Sequence, residues 1–223
     1  MRRIEAIVFD LDGLMIDTEP LARRAWDRVL QDHGEELDDV TFTNMIGLRL
    51  EDSSKIVQEV FGLTTSPSEL ASREQIYMAQ IMALGIPSMP GLRRLLGEIE
   101  RREVPWAVAT SSRQTYAAQV LSQLGLLKQC QAIAAGDEVE QGKPAPDVYL
   151  LAAKRLNTDP ALCLALEDSV PGVEACSAAG MLAVAVPNGD TSHMDFKNAG
   201  FVYDSLVEVA ADLDKLLGKS RWE

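Results

Sequence analysis

Apolar residues recur along this chain in two patterns. Five short runs are apolar almost throughout: 6–9 (AIVF), 104–109 (VPWAVA), 132–135 (AIAA), 162–166 (LCLAL) and 182–186 (LAVAV). Their length, β-branched content and flanking turn residues predict strands. The lack of polar alternation predicts strands covered on both faces. Helix-period patterns separate the later runs, at 92–102, 114–124, 147–156 and 170–179. Strand and helix alternating at this rhythm predict right-handed βαβ units and a Rossmann-like parallel sheet, hence an α/β fold. The interval between Phe9 and Val104 breaks the rhythm. It offers no second strand, only helical stretches at 20–33, 51–61 and 68–84. The segment GIPSMPG, 85–91, closes the interval, with Pro90 suited to the first turn of the next helix. The expectation is a helical cap inserted after the first strand. Residues 1–15 and 86–223 form the core domain, and 16–85 form the cap domain.

Composition narrows the class. The 223 residues are 47% apolar, enough for a core of ordinary size. The formal net charge of −13 argues against a nucleic-acid partner, since a phosphate backbone needs a basic face. No apolar run approaches the roughly 18 residues of a membrane span. The start, MRRIEAIVFD, lacks the long apolar stretch of a signal peptide, so the protein is read as cytoplasmic, with monomer as the default state. Cys130, Cys163 and Cys176 are scattered among apolar residues, as reduced and mostly buried thiols would be. His33 and His193 are read as surface residues, and Trp26, Trp106 and Trp222 as packing or tail residues.

Candidate chemistry gathers at strand ends. In open parallel sheets, ligands bind beyond the carboxyl ends of the strands. Asp10 and Asp12 follow the first run, Thr110-Ser111-Ser112 the second, Lys143 lies shortly after the third, and Glu167-Asp168 follow the fourth. Crowded carboxylates repel one another unless a cation sits between them. Hard oxygen ligands favour Mg²⁺, which accepts one or two carboxylates together with a substrate phosphate. A threonine hydroxyl, backbone amides at a helix start and one lysine suit the anion itself.

The stretches DLDGLMIDTEP, ATSSR, GKPAPD and EDSVPGVEAC resemble the four sequence motifs of the haloacid dehalogenase superfamily, in the same order. The helical insert resembles the C1 cap of its β-phosphoglucomutase-like and sugar-phosphate phosphatase subgroup. The resemblance implies Asp10 as a nucleophile that forms an aspartyl-phosphate, and Asp12 as the general acid and then base, its carbonyl also a metal ligand. It further implies Thr110, Ser111 and Lys143 as phosphoryl-binding groups. A Mg²⁺ site would be held by Asp10, Asp12 and Asp168, with Glu167 bound directly, bound through water, or orienting the others. Keeping an acid at Asp12 points to phosphoryl transfer rather than carbon–halogen cleavage, which has no alkoxide to protonate.

Within the subgroup, the resemblance sets mutase against phosphatase. Mutases place a histidine four residues after the Asp-Thr pair; Ala22 stands there. They also carry a lysine late in the cap, whereas no lysine occurs here between Lys55 and Lys128. Arg49, in GLRLEDS, is either a substrate-binding cation one place from the mutase arginine or an ordinary surface arginine. The expected activity is hydrolysis of a small phosphate monoester, a sugar or polyol phosphate. A β-phosphoglucomutase-type mutase is the alternative, and a non-catalytic phosphate sensor a further one. Asp17 and Thr18 either cap the first cap helix or serve as a hinge, Ser112 is read as an N-cap, Gly172 as a close-packing position, and Asp137-Glu138 as a solvated loop.

Overall fold

The computed structural model describes residues 3–83, 85–189 and 191–218. In chain order the elements are β1 Ala6–Phe9, α1 Glu19–Gln31, α2 Asp39–Met45, α3 Leu50–Phe61, α4 Pro67–Met82, α5 Leu92–Arg101, β2 Trp106–Ala109, α6 Gln114–Gln123, β3 Ala132–Ala134, α7 Asp147–Arg155, β4 Cys163–Glu167, α8 Val170–Ala178, β5 Leu182–Ala185, β6 Phe201–Val202, α9 Leu206–Ala211 and α10 Leu213–Leu216. The strands pair in parallel, in the order β3-β2-β1-β4-β5-β6. The fold is therefore an α/β Rossmann-like sheet. Chain order runs outward in both directions from β1, so the switch point lies between β1 and β4, where such sheets bind ligands.

The strands alternate in size rather than polarity. Ile7, Phe9, Trp106, Val108, Leu164, Leu166 and Val184 pack on one face, against Leu92, Leu95 and Ile99 of α5 and the apolar sides of α6, α9 and α10. Ala6, Val8, Ala107, Ala109, Cys163, Ala165 and Ala183 form the other face, under α7 and α8. Small residues on that side bring Tyr149 of α7 into the core, where it is fully buried. In α5 the buried Leu92, Leu95, Leu96 and Ile99 follow helical spacing. Truncating such a leucine to alanine costs about 2–5 kcal/mol.

Helices α1–α4 bury a cluster of their own, built on Trp26, Val29, Leu30, Phe42, Met45, Val57 and Leu70. The second half of α4 differs: Met78, Ile81 and Met82 join the cluster that contains the sheet. The helix α2 has no counterpart in the sequence pattern. Its β-branched and Asn-containing stretch is a weak helix former. The Asp38 carboxylate caps it, accepting from the Thr41 N–H at 2.8 Å and from the Thr41 hydroxyl.

Several local expectations need correction. Pro90 stands outside α5; Gly91, with φ of 90°, turns the chain into that helix. Ser112 is not a cap, because Arg113 holds the N-cap position of α6. Asp137 and Glu138 are exposed, as expected of a solvated segment, and they also tether it: Asp137 accepts from the Gln114 N–H at 2.9 Å, and Glu138 pairs with Arg155 at 2.8 and 2.9 Å. His33 is half-buried, its ring nitrogens 2.9 Å from the Val29 carbonyl and the Thr65 hydroxyl. The cysteines are free thiols, two of them buried. Trp26 and Trp106 are buried; Trp222 and the last residue of the 68–84 stretch lie outside the described residues.

Candidate active site

Register places the chemistry. Phe9 pairs with Val108 on one side and Leu166 on the other, so β1, β2 and β4 end nearly level. Asp10 follows β1 directly and donates its N–H to the Leu166 carbonyl at 3.0 Å. Thr110 follows β2, and Glu167 is the last residue of β4. The mouth of the sheet thus receives side chains far apart in sequence.

Lys143 is the single ammonium among these acids. Its Nζ donates to Asp10 Oδ1, to Glu167 Oε1 at 2.5 Å and to the Ala109 carbonyl at 3.4 Å, and it lies 5.1 Å from the Tyr149 ring centre. Burial opposes its charge, but the Asp10 and Glu167 carboxylates outweigh burial and hold the ammonium above the ordinary lysine range. Burial raises Asp10 in turn. Lys143 offsets part of that, while Glu167 and Asp12 add like-charge repulsion.

Both oxygens of Glu167 are engaged by donors. Oε1 accepts from Lys143 and from the Tyr149 hydroxyl at 2.8 Å. Oε2 accepts from the N–H of Asp168 and of Ser169 and from the Ser169 hydroxyl, each at 3.0 Å. Five donors exceed the roughly four lone-pair sites of a carboxylate. Burial, then the nearby Glu167 carboxylate, keeps the Tyr149 phenol protonated and so a donor. Gly172 explains the tight fit, since a Cβ there would stand 1.7 Å from Glu167 Oε1. Asp168 accepts from the Asn188 amide at 2.9 Å, and that amide also reaches the Gly13 carbonyl at 3.2 Å.

Asp12 occupies a separate polar nest. Oδ1 accepts from Thr18 Oγ1 at 3.2 Å and Tyr116 OH at 2.8 Å. Oδ2 accepts from Thr110 Oγ1 at 3.5 Å and Ser112 Oγ at 2.8 Å. Thr18 therefore stands at the helix start while turning its hydroxyl to the site. Sequence reasoning missed Tyr116, Tyr149, Asn188 and the side chain of Ser112. Nothing local in the sequence marks Tyr116, Tyr149 or Asn188 for these contacts, and Ser112 stands inside the ATSSR stretch without a side-chain role assigned to it.

A cavity of about 520 Å³ opens over Asp10 and Asp12. Its far wall comes from α1–α4 and is mostly apolar, with Trp26, Phe42, Met45, Ile46, Met78 and Met82. Glu74 of α4 lines it too, only 7% exposed. Burial, and then the Asp12 carboxylate, pushes its pKa up to about 8. The helical part touches the sheet's mouth at several points. Ser111 Oγ donates to the Gly47 carbonyl at 2.9 Å, and Gly47, at φ 79°, sits so near Ser169 that a Cβ would lie 2.6 Å from its hydroxyl. Arg49 is not among the cavity-lining residues. It bonds Asp52 at 3.0 Å and the Glu140 carbonyl at 3.3 Å.

Such a sheet, with buried carboxylates and one ammonium at its switch point, is that of an enzyme rather than a structural module. Residues 4–180 match the haloacid dehalogenase-like hydrolases, and the chain belongs to that family. Among its relatives is a phosphorylated carbohydrates phosphatase of Thermotoga maritima, 32% identical over 80% of this chain and 82% of its own. Another is the fructose-1-phosphate phosphatase YqaB of Escherichia coli, 34% identical over 82% of this chain and 97% of its own. A crystal structure of β-phosphoglucomutase from Clostridium difficile superposes with a TM-score of 0.85 at 25% identity, covering 96% of each chain.

Proposed function

We propose that this hydrolase is a Mg²⁺-dependent phosphatase acting on small phosphate monoesters, sugar or polyol phosphates among them, through an aspartyl-phosphate on Asp10. The observation that carries this reading is the convergence of Asp10, Lys143 and Asp168 at the mouth of the sheet, beneath a cavity large enough for a small ester. Carboxylate oxygens of Asp10, Glu167 and Asp168 lie within 4.8 Å of one another, all buried. Three buried acids around one ammonium leave surplus negative charge, and an oxygen-only donor set suits Mg²⁺. Asp10, Asp168 and the Asp12 carbonyl would hold the ion, with Glu167 orienting Lys143 and Asp168 from behind. When bound, Mg²⁺ supplies positive charge that lets an anionic nucleophile approach an anionic phosphoryl group.

The chain's own groups do the rest. Asp10 attacks phosphorus, the ester P–O bond breaks, and the departing alkoxide takes a proton from Asp12. Asp12 then draws a proton from the water that attacks the acyl phosphate, releasing phosphate and restoring Asp10. Lys143 and the donors of Thr110 and Ser111 receive the phosphoryl oxygens. Residues 16–85 act as the cap, and the Gly47–Ser111 and Arg49–Glu140 contacts are the closure contacts that exclude bulk water. Arg49 enters as a closure residue more readily than as a substrate cation.

A mutase must hold a bisphosphate at both ends. Ala22 lines the cavity where the resemblance places a mutase histidine, and among the described lining residues the basic side chain is Arg113, exposed and paired with Glu51. Hydrolysis is therefore preferred over isomerisation. The protein is taken to work as a cytoplasmic monomer; no helix among the described residues is long and apolar enough to cross a membrane. Phosphate release from fructose 1-phosphate and a chromogenic ester, with and without Mg²⁺, tests the reading. Asp10→Asn abolishes turnover with the fold intact, and Asp12→Asn slows it by about 10²–10⁴-fold. Unchanged turnover in Asp10→Asn ends the proposal, and conversion of β-glucose 1-phosphate, with a bisphosphate primer, to glucose 6-phosphate faster than to free phosphate replaces it with the mutase.

A further inference from the structure

Glu74 is a buried carboxyl that the chemistry at the sheet's mouth does not use. It projects from α4 into the cavity over Asp10 and Asp12, and its side chain has no hydrogen-bond or ion-pair partner among the described residues. The same wall carries Trp26, Phe42, Met45, Met78 and Met82, with Ser53, Glu51 and Gln75 as its other polar side chains. No side-chain oxygen among the described residues is both sealed from solvent and unbonded, so the Glu74 carboxyl opens onto the cavity. A ligand that displaces water there has to bond the carboxyl in its place, or the desolvated group costs binding energy. No lysine lines the cavity, and Arg113 at its rim is paired with Glu51 at 3.3 Å.

We propose that Glu74 is the specificity-determining residue of this site: its carboxyl bonds a hydroxyl on the uncharged alcohol portion of the ester, and it leaves no place for a second anionic group. The substrate class is thereby narrowed to monophosphates of neutral polyols or sugars. Bisphosphates and phosphates with a distal carboxylate are rejected, because an apolar wall with a carboxyl and no cation cannot compensate their charge. A carboxyl accepts from a hydroxyl whether ionised or not, and when protonated it also donates to one, so recognition survives across neutral pH. The apolar residues around it cover the carbon skeleton.

The inference rests on the phosphatase reading, and the two fail differently. The measurement is kcat/KM for three esters of one chain length: sorbitol 6-phosphate, hexyl phosphate and sorbitol 1,6-bisphosphate. The wild type prefers sorbitol 6-phosphate to both others. Glu74→Leu lowers the sorbitol-to-hexyl ratio by about tenfold or more, while Glu74→Gln, which keeps a donor and an acceptor, stays within about threefold. Glu74→Lys raises the bisphosphate-to-monophosphate ratio by about tenfold or more, since it supplies the absent cation. If the lysine variant does not fold, the leucine and glutamine ratios decide. Wild-type turnover with a sorbitol-to-hexyl ratio that moves less than about twofold in Glu74→Leu overturns the inference alone. No wild-type turnover of any ester overturns the phosphatase reading and the inference with it.

Discussion

Gly172→Ala adds one methyl group at the point where α8 crosses the end of β4. The new Cβ would stand 1.7 Å from Glu167 Oε1, 1.9 Å from its Cδ and 2.3 Å from Oε2. No carbon sits so close to a carboxylate, so either Glu167 swings away or the first turn of α8 retreats. Glu167 is fully buried and tied to Lys143, Tyr149, Ser169 and two backbone N–H groups. Moving it strands the Lys143 ammonium and the Tyr149 hydroxyl, and breaking a buried ion pair costs about 3–5 kcal/mol. If α8 moves instead, Ser169 loses the Gly172 N–H that it caps at 3.2 Å, which costs about 1 kcal/mol on top of the repacking. For a chain of this size each kcal/mol shifts Tm by roughly 2–4 °C, so the expected drop is on the order of 10 °C. Gly97→Ala is the control, because nothing lies within 4 Å of its added Cβ and the helix gains propensity. It is neutral or stabilising by under about 1 kcal/mol. Thermal and urea denaturation with phosphate-release assays give both readouts. Gly172→Ala within about 1 kcal/mol of the wild type and fully active would show that Glu167 neither anchors Lys143 nor needs its present place.

Three other outcomes follow from the same geometry. Mg²⁺ at about a hundredfold above its Kd raises stability by roughly 2.7 kcal/mol in a thermal melt; Asp168→Asn loses most of that gain, and a chelator stops turnover. Asp38→Ala removes the cap of α2 and lowers the urea midpoint, with the Asp38 pKa lowered by the Thr41 hydroxyl and N–H so that the loss is seen above the ordinary carboxylate range and fades in acid. Glu74 has its pKa raised by burial from 4.5 to about 8, so folding takes up a proton between those values. Stability relative to Glu74→Gln is therefore retained below about pH 4.5 and lost as pH rises toward 8, with a ceiling of roughly 5 kcal/mol, and parallel pH profiles for the two proteins would show that the carboxyl is hydrated.

Much of the sheet was legible because buried parallel strands carry unbroken apolar runs, and AIVF, WAVA and LCLAL say so directly. The size alternation within those runs was equally present, yet only the packing gives it meaning: alanines lie under α7 and α8, large residues under α5 and α9. The two-residue β6 and the seven-residue α2 carry too little pattern to separate from loop, and tertiary contacts of Phe42 and Met45 hold α2 where propensity would not. The acids and Lys143 stood in recognisable motifs. Tyr116 and Ser112 reach Asp12 from about a hundred positions away, and no local signal marks a tyrosine or serine for that task. Glu74 was hidden for the opposite reason. A glutamate within a helical stretch such as PSELASREQIYM reads as an ordinary solvated position, and only the crossing of α1 and α4 turns it inward.

The two ends of the cavity make opposite electrostatic demands, and together they fix how an ester must lie. At the sheet's mouth, Asp10, Glu167 and Asp168 outnumber Lys143, so the region takes up positive charge and, once neutralised, a phosphoryl group. At the far wall, Trp26, Phe42, Met78 and their neighbours lie around the buried Glu74 carboxyl, with Glu51 paired to Arg113, so that region suits neutral matter carrying at least one hydroxyl. A phosphate at the far wall would meet apolar surface and Glu74; an alcohol at the mouth would leave the acids and ammonium uncompensated. Only one orientation satisfies both ends, and it sets the ester oxygen between Asp10 and the cavity. Asp12 borders that cavity too, and Thr18, Tyr116, Thr110 and Ser112 already fix the place of its carboxyl group, so the group that the proposed reaction uses to pass a proton to the leaving alcohol is positioned before any substrate arrives.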